Sequence, residues 1–153
     1  LATSAVAAAS IAWRSPNDYS VLSFGKEVVV AKSQDAHKSN EGVVDAVLAL
    51  RGFGTTDVAG ALAAAREQLG RSRAARKITI LLSDCRATAH GSGDAESAIG
   101  VAVAARQVEE LLIIAPADDD EAARELAAAT GSRITTVTGP SDASAALARV
   151  LDT

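Results

Sequence analysis

The stretch KITILLS at residues 77–83 is a near-continuous apolar run, and the acidic residue Asp84 follows it directly. Such runs are typical of strands buried on both faces, as in parallel sheets covered by helices. Two later runs are similar, ELLIIA at residues 110–115 and RITTVT at residues 133–138. The segments between them have the polar starts and apolar spacing of helices. Strands alternating with helices predict βαβ units and a mostly parallel sheet.

Capping signals predict where the helices of this half begin and end. Asp94 is placed to cap a helix that runs to about residue 106. The acidic run DDDE at residues 118–121 predicts a capping box, with its first acid at the cap and its glutamate three residues on. The helix that it opens should end at Gly131, and Ser141 should cap a terminal helix.

The first half begins with an Ala-rich segment, residues 1–14, whose apolar residues recur at helical spacing. YSVLSFGKEVVVA at residues 19–31 contains two short β-branched runs joined tightly and predicts a hairpin. Residues 39–50 and 58–69 have the apolar stripes of helices, the second closed by Gly70 at the C′ position.

These elements predict one domain over residues 1–153, an α/β three-layer α/β/α sandwich. Its sheet should be doubly wound and mostly parallel, with an antiparallel edge strand from the hairpin. A doubly wound fold of this pattern normally begins with a central strand, whereas this chain begins with a predicted helix. We therefore expect a strand to be missing upstream of Leu1.

Composition excludes several classes of function. The chain has 15 basic and 19 acidic residues, a formal charge of −4 and no basic cluster, which argues against nucleic-acid binding. One cysteine and two histidines provide neither an internal disulfide nor a structural zinc site. No apolar run approaches the roughly 18 residues of a membrane span, and the N-terminus lacks the basic start of a signal peptide. We expect a soluble, cytoplasmic domain.

Asp84 is the polar residue best placed for function, since ligands of open α/β sheets bind at the carboxyl ends of strands. Asp84 could equally be a structural residue that ends the strand and accepts hydrogen bonds from the backbone of the turn that follows. GTTD at residues 54–57 is a second candidate, although a helix start needs the same residue types. The acidic run at residues 118–121 could hold a cation, but capping and the helix dipole also explain it.

Other catalytic signals are weak. The chain has no GxxxxGK[ST] loop, and the GSG at residues 91–93 is not a nucleophile elbow. Cys85 could act as a nucleophile with His90, but the neighbouring Asp84 disfavours a thiolate. His37 and His90 lie in polar segments typical of solvated side chains.

In order along the chain, four segments resemble the von Willebrand factor type A domain. They are the hairpin at residues 19–31, GFGTTDVAGAL at residues 52–62, KITILLSDCRA at residues 77–87, and the two strand–helix units of residues 110–151. The LLSDCRA part is most similar to intracellular members of the magnesium-chelatase type, in which a glycine usually stands at the position of Cys85. The resemblance implies this family's Rossmann-like fold over essentially the whole chain.

The resemblance also implies a metal-ion-dependent adhesion site (MIDAS) with oxygen ligands from three loops. Its threonine maps onto Thr56, with Thr55 a less favoured register, and its last aspartate maps onto Asp84. The ion would be Mg²⁺ or Mn²⁺, which takes about six oxygens. The family's Asp-x-Ser-x-Ser motif occurs nowhere in these residues. Thr56 and Asp84 alone should not bind Mg²⁺ tightly.

The implied function is a non-enzymatic, intracellular interaction domain that binds a protein partner around Thr56 and Asp84. Intracellular members of the family often work beside ring-forming ATPases, so the resemblance implies such a partner. Two alternatives stay open from the residues. One is a small doubly wound enzyme or phospho-acceptor that uses Asp84. The other is a degenerate, metal-free structural domain, which Cys85 in the usual glycine position favours.

Overall fold

The elements of the fold follow the predicted order. The computed structural model of the chain describes residues 18–24, 28–36, 41–43, 45, 57–85 and 94–151. Its strands and helices are β1 (Val21–Phe24), β2 (Val28–Lys32), α1 (Val58–Leu69), β3 (Thr79–Leu82), α2 (Asp94–Arg106), β4 (Leu111–Pro116), α3 (Glu121–Thr130), β5 (Arg133–Val137) and α4 (Pro140–Leu151). Residues 41–43 and 45 are helical, within the segment predicted as a helix. The predictions for residues 1–14 and for the hairpin turn lie outside the described residues.

A parallel three-stranded sheet forms the centre, in the order β3-β4-β5. Ile113 of β4 lies opposite Leu81 of β3 and Ile134 of β5. Five consecutive residues of β4, from Leu111 to Ala115, are buried. The unbroken apolar run of this strand is explained by its position, because a central parallel strand is covered on both faces.

Helices cover both faces of the sheet. On one face a buried cluster joins the sheet to α1, α2 and α3, and it includes Leu62, Leu81, Val101, Ile113 and Leu126. On the opposite face a second cluster joins the sheet to α4, and it contains Leu112, Ile114, Val137, Ala146 and Leu147. The predicted α/β three-layer architecture is confirmed.

The hairpin forms its own two-stranded antiparallel sheet, with Phe24 opposite Val28. It contacts α1, and Phe24 packs against the cluster beneath the parallel sheet. Val29 and Val30 of β2 are 48% and 43% exposed. The hairpin was expected to add an edge strand to the main sheet. Within the described residues it instead has no hydrogen-bonded neighbour among β3, β4 and β5.

β3 is covered on both faces, but less completely on one of them than the KITILLS run predicts. Thr79 and Leu81 are buried, but Ile80 and Leu82, which point to the opposite face, are only half-buried. The reason is the position of β3 within the sheet. β4 has a strand on each side, whereas β3 pairs only with β4 among the described strands, and α4 packs over β4 and β5.

A polar network fastens the hairpin end to the end of α1. The Asp18 carboxylate accepts hydrogen bonds from Ser72 Oγ at 2.7 Å and Gln34 Nε2 at 2.9 Å. The backbone N–H of Gln34 donates to Gln68 Oε1 at 2.8 Å. The two bonds to Asp18 lower the pKa of that carboxyl. This network was not predictable from the sequence, because its members are far apart in the chain.

Lys32 is almost fully buried within the same region. Its Nζ donates to the backbone oxygens of Tyr19 at 2.6 Å and Ser33 at 2.9 Å, and lies 4.2 Å from the centre of the Tyr19 ring. Burial lowers the pKa of the Lys32 amine, and the charges of Asp18 and Asp35 oppose that shift. These contacts supply the partners that a buried ammonium group requires.

The ends of α3 differ partly from prediction. The predicted capping box is wrong, because the N-cap is Asp120 rather than Asp118, and its side chain makes no capping hydrogen bond. Asp120 instead accepts from Arg124 Nε at 2.6 Å, which takes its carboxylate away from the helix N–H groups. Gly131 closes the helix as predicted, with a left-handed φ of 70° that glycine adopts without steric cost.

The end of α1 and the start of α4 also differ from the predictions. Gly70 follows α1 with φ −61° and ψ −18°, which is right-handed, so it is not the left-handed C′ glycine that we predicted. α4 begins at Pro140, which places Ser141 inside the helix rather than at its cap. Proline suits the first turn because its missing N–H has no partner there. The Asp142 carboxylate accepts from the backbone N–H of Thr138 at 3.0 Å and also binds its hydroxyl, and these bonds lower the pKa of Asp142.

Candidate functional site

The carboxyl ends of the parallel strands and the first turns of the helices meet at one edge of the molecule. β3 leads there into Ser83 and Asp84, and β4 and β5 end at Pro116 and Val137. In open α/β sheets this edge is where ligands bind. Asp84, predicted from sequence as a site residue, lies at this edge and is half-buried.

The backbone turns sharply after Asp84. Ser83 Oγ accepts a hydrogen bond from the backbone N–H of Cys85 at 2.9 Å, which closes a tight turn around Asp84. Cys85 has a φ of 61°, the left-handed conformation that L-residues with a Cβ rarely adopt. Among the described residues it is the one non-glycine residue with positive φ. The glycine that the resemblance places here would adopt this conformation freely.

The Cys85 thiol is unsuited to nucleophilic chemistry. The residue is 7% exposed and belongs to the cluster beneath the sheet. Burial, with the adjacent Asp84 charge, raises the pKa of the thiol to about 12. Since the thiolate is the reactive form, a thiol with this pKa is almost entirely protonated and inert near neutral pH.

The first turn of α1 is the second part of the predicted site. Asp57 caps the helix, its Oδ1 accepting from the backbone N–H of Gly60 at 2.9 Å. A Cβ at Gly60 would collide with the Asp57 carboxylate in this position, so a larger residue there would displace the capping side chain. Val58 is fully buried in the same cluster as Cys85. Thr56, the predicted hydroxyl ligand, lies outside the described residues, as does Thr55.

This edge of the molecule is acidic. Acidic residues at this edge among the described residues include Asp57, Asp84, Asp118, Asp119, Asp120, Glu121 and Asp142, and one of them, Asp120, is paired with Arg124. Negative side chains at helix N-termini are stabilised by the helix dipole, which explains part of the pattern. The resulting field attracts cations and basic groups and repels phosphates.

The described residues do not form a metal site by themselves. No group of three His, Cys, Asp or Glu side chains within the described part of the chain is arranged to hold a metal ion. Asp84 supplies one carboxylate, and Mg²⁺ takes about six oxygens in near-octahedral geometry. The residues present therefore do not fit a complete Mg²⁺ site, and any such site would draw further ligands from elsewhere.

Sequence reasoning found Asp84 through its place after an apolar strand, and it singled out Cys85 as standing in a glycine position. It did not place the thiol in the core. The sequence held no clear signal for this, because the apolar run before Asp84 does not record which residues beyond its end turn back into the core. No helix in the described ranges is long and apolar enough to cross a membrane.

Comparisons with known proteins identify the fold. No family profile matches the sequence, and no curated protein matches it. A solved structure, von Willebrand factor type A from Catenulispora acidiphila, is similar to the chain with a TM-score of 0.70 and 18% sequence identity. The similarity covers 97% of this chain and 37% of that one, so the chain spans little more than a third of that protein's length. The chain therefore has the von Willebrand factor type A fold.

Proposed function

We propose that this chain is a non-enzymatic interaction domain that binds a protein partner at the edge around Asp84. The fold is one commonly used for protein–protein interaction. The observation that carries the proposal is the left-handed Cys85 directly after Asp84. Non-glycine residues in such conformations cost roughly 1–3 kcal/mol and cluster at functional sites. This one directly follows a half-buried carboxylate at the edge where α/β sheets bind ligands.

The proposed site includes a divalent cation, Mg²⁺ or Mn²⁺, with Thr56 and Asp84 among its ligands. The remaining protein ligands would come from an Asp-x-Ser-x-Ser segment outside residues 1–153, as the family resemblance implies. Bound there, the ion would offer an open position to a carboxylate of the partner. Two features support a cation here, the acidic character of the edge and the hard oxygen of Asp84.

The proposed partner is a ring-forming ATPase of the kind that works with chelatase-type members, and the proposed location is the cytoplasm. This part rests on the LLSDCRA segment, whose similarity is to intracellular members of the family. The inert Cys85 thiol supports a non-catalytic role, because it removes the one cysteine as a nucleophile.

The proposal is tested by affinity capture on the natural full-length protein in three forms, the wild type, Asp84→Ala and Glu109→Ala. Glu109 is an exposed acid before β4, at the opposite edge, so its variant matches the change of charge. Each is immobilised and exposed to extract of the source cells with Mg²⁺ or with EDTA, after thermal melts confirm folding. We expect proteins retained by the wild type and Glu109→Ala, but lost with Asp84→Ala and with EDTA.

The other outcomes decide between alternatives. Retention that is the same on all three forms would refute the role of Asp84. Retention that depends on Asp84 but survives EDTA would establish a metal-free interaction domain. That second function is favoured by Cys85 in the glycine position.

A further inference from the structure

The outward side of α2 is apolar where an exposed helix normally carries charge. Ile99 and Val103 lie one turn apart on that side and are 66% and 49% exposed. The helix has no charged residue from 97 to 105, and its inward side packs in the cluster beneath the sheet through Val101 and Ala105. A helix that is apolar on all sides is normally buried on all sides. The outward side of α2 is therefore expected to be covered.

Gly100 adds a second observation at the same place. It is exposed between Ile99 and Val103, and a Cβ built on it would meet no atom of the described chain within 4 Å. Packing among the described residues therefore does not require glycine here, although glycine destabilises a helix interior relative to alanine. A residue without a side chain allows the backbone of another helix to approach closely from outside.

The helices on either side of α2 carry opposite charges beside this apolar strip. α2 contacts α1 and α3. Arg66 of α1 is exposed and lies two residues before Gln68, which binds the hairpin, so Arg66 is on the opposite side of its helix, toward α2. Glu125 of α3 is exposed one turn before Ala129, whose backbone oxygen accepts from Arg106 of α2 at 2.7 Å. We call the strip of Ile99, Gly100 and Val103, with the flanking Arg66 and Glu125, the α2 face.

The charges of the α2 face are complementary to those of a second copy. Each of the three helices leads into the beginning of a parallel strand, so the helices run in the same direction. Arg66, Val103 and Glu125 all lie within two turns of the carboxyl ends of their helices. A two-fold rotation about an axis parallel to α2 places the Arg66 side of one copy against the Glu125 side of the other, twice in the dimer. An antiparallel arrangement would place like charges together.

We propose that this chain binds a second copy of itself through the α2 face, with the two α2 helices parallel and Arg66 paired with Glu125 of the other copy. The helices α1, α2 and α3 have 12, 13 and 10 residues. At about 1.5 Å per residue and about 9 Å between axes, they present roughly 500 Å² of each copy. Roughly 1,000 Å² in total is at the low end for a specific interface, so the dimer should be weak and reversible. The edge around Asp84 is not part of this face, and the inference does not rest on the proposed function.

The first test is the oligomeric state of the natural full-length protein, measured by sedimentation velocity over a hundredfold range of concentration. Val103→Asp puts a charge in the centre of the α2 face and should raise the dissociation constant of the dimer at least tenfold. Val29→Asp is the matched control, because Val29 is about equally exposed but lies on β2. It should change the constant less than twofold, and thermal melts confirm that both variants fold.

The second test reverses the paired charges. Arg66→Glu and Glu125→Arg each place like charges at both contacts of the dimer. Each variant alone should therefore be monomeric at concentrations where the wild type is dimeric. An equal mixture of the two variants places opposite charges at both contacts, so heterodimers should form. Mixing would not restore a dimer that was lost through misfolding, so this test decides even if Val103→Asp does not fold.

Three results would overturn the proposal. The first is a wild type that is monomeric at every concentration, which would assign the α2 face to another part of the natural protein or to a different partner. The second is a dimer that Val29→Asp weakens as much as Val103→Asp does. The third is a mixture of the two charge variants that stays monomeric.

Discussion

Replacing Cys85 by glycine and by alanine separates backbone strain from packing at the proposed site. Both variants lose the buried thiol, which costs about 1 kcal/mol by comparison with other small core deletions. Only glycine relieves the left-handed φ of 61°, which costs a residue with a Cβ roughly 1–2 kcal/mol. The glycine variant also loses the buried Cβ, and its unfolded chain gains conformational entropy. Both effects lower its stability and offset part of the strain that glycine relieves.

The order of stability of the two variants therefore shows whether the backbone at residue 85 is strained. Glycine is ordinarily less stable than alanine by about 0.5–1 kcal/mol within regular elements. Subtracted from the relief of roughly 1–2 kcal/mol, this leaves Cys85→Gly more stable than Cys85→Ala by about 0.5–1 kcal/mol. In a domain of this size the difference corresponds to about 1–4 °C in melting temperature. Urea unfolding followed by circular dichroism measures it, with similar slopes confirming that both variants unfold in the same way.

The result that would refute this reasoning is an alanine variant more stable than the glycine variant. Cys85 would then not be held in the left-handed region in solution, and the strain argument for a site at Asp84 would fail. The hydrogen bond from the Cys85 N–H to Ser83 Oγ is available to both variants, so it does not confound the comparison.

Three further predictions concern the same molecule. Gln68→Ala should lower the free energy of unfolding in urea by about 1–3 kcal/mol, because it leaves the buried N–H of Gln34 without its acceptor. The control Glu67→Ala changes an exposed residue and should cost less than about 0.5 kcal/mol. Equal effects of the two variants would contradict the network. The pKa of Asp18 is lowered in the folded chain by Ser72 and Gln34, so its stabilisation is present above the ordinary aspartate pKa and is lost as pH falls through the folded value. Melting temperatures between pH 6 and pH 2.5 should fall less steeply for Asp18→Asn than for the wild type, and parallel curves would refute this. The Cys85 thiol should react with iodoacetamide at pH 8 at least tenfold more slowly in buffer than in denaturing urea, and equal rates would contradict its burial and raised pKa.

The order of elements was predictable from sequence because each strand and helix has its own local pattern. β4 is five apolar residues in a row, and Gly131 marks a helix end by a conformation that favours glycine. Asp84 was predictable as a candidate because it follows a buried strand directly. Each of these patterns involves residues close together in the chain, so it predicts the local structure without knowledge of the tertiary contacts.

What could not be predicted depends on contacts between distant residues. Asp18, Gln34, Gln68 and Ser72 meet only when the hairpin folds onto α1. The incomplete burial of Ile80 and Leu82 follows from the place of β3 in the sheet, which its apolar sequence does not record. One difference was local: α3 begins after Asp120 instead of after Asp118, and the Asp120 carboxylate binds Arg124 one turn along instead of a helix N–H group.

The central claim is that oxygen ligands around Asp84 form the binding site. Paramagnetic Mn²⁺, added in small amounts to the isotope-labelled chain, broadens the amide signals nearest to where it binds, even when binding is weak. We predict that the signals of residues 83–85 and of the first turn of α1 broaden first, and that Asp84→Asn abolishes this while Asp118→Asn does not. Broadening centred on residues 118–121, or unchanged by Asp84→Asn, would contradict the claim.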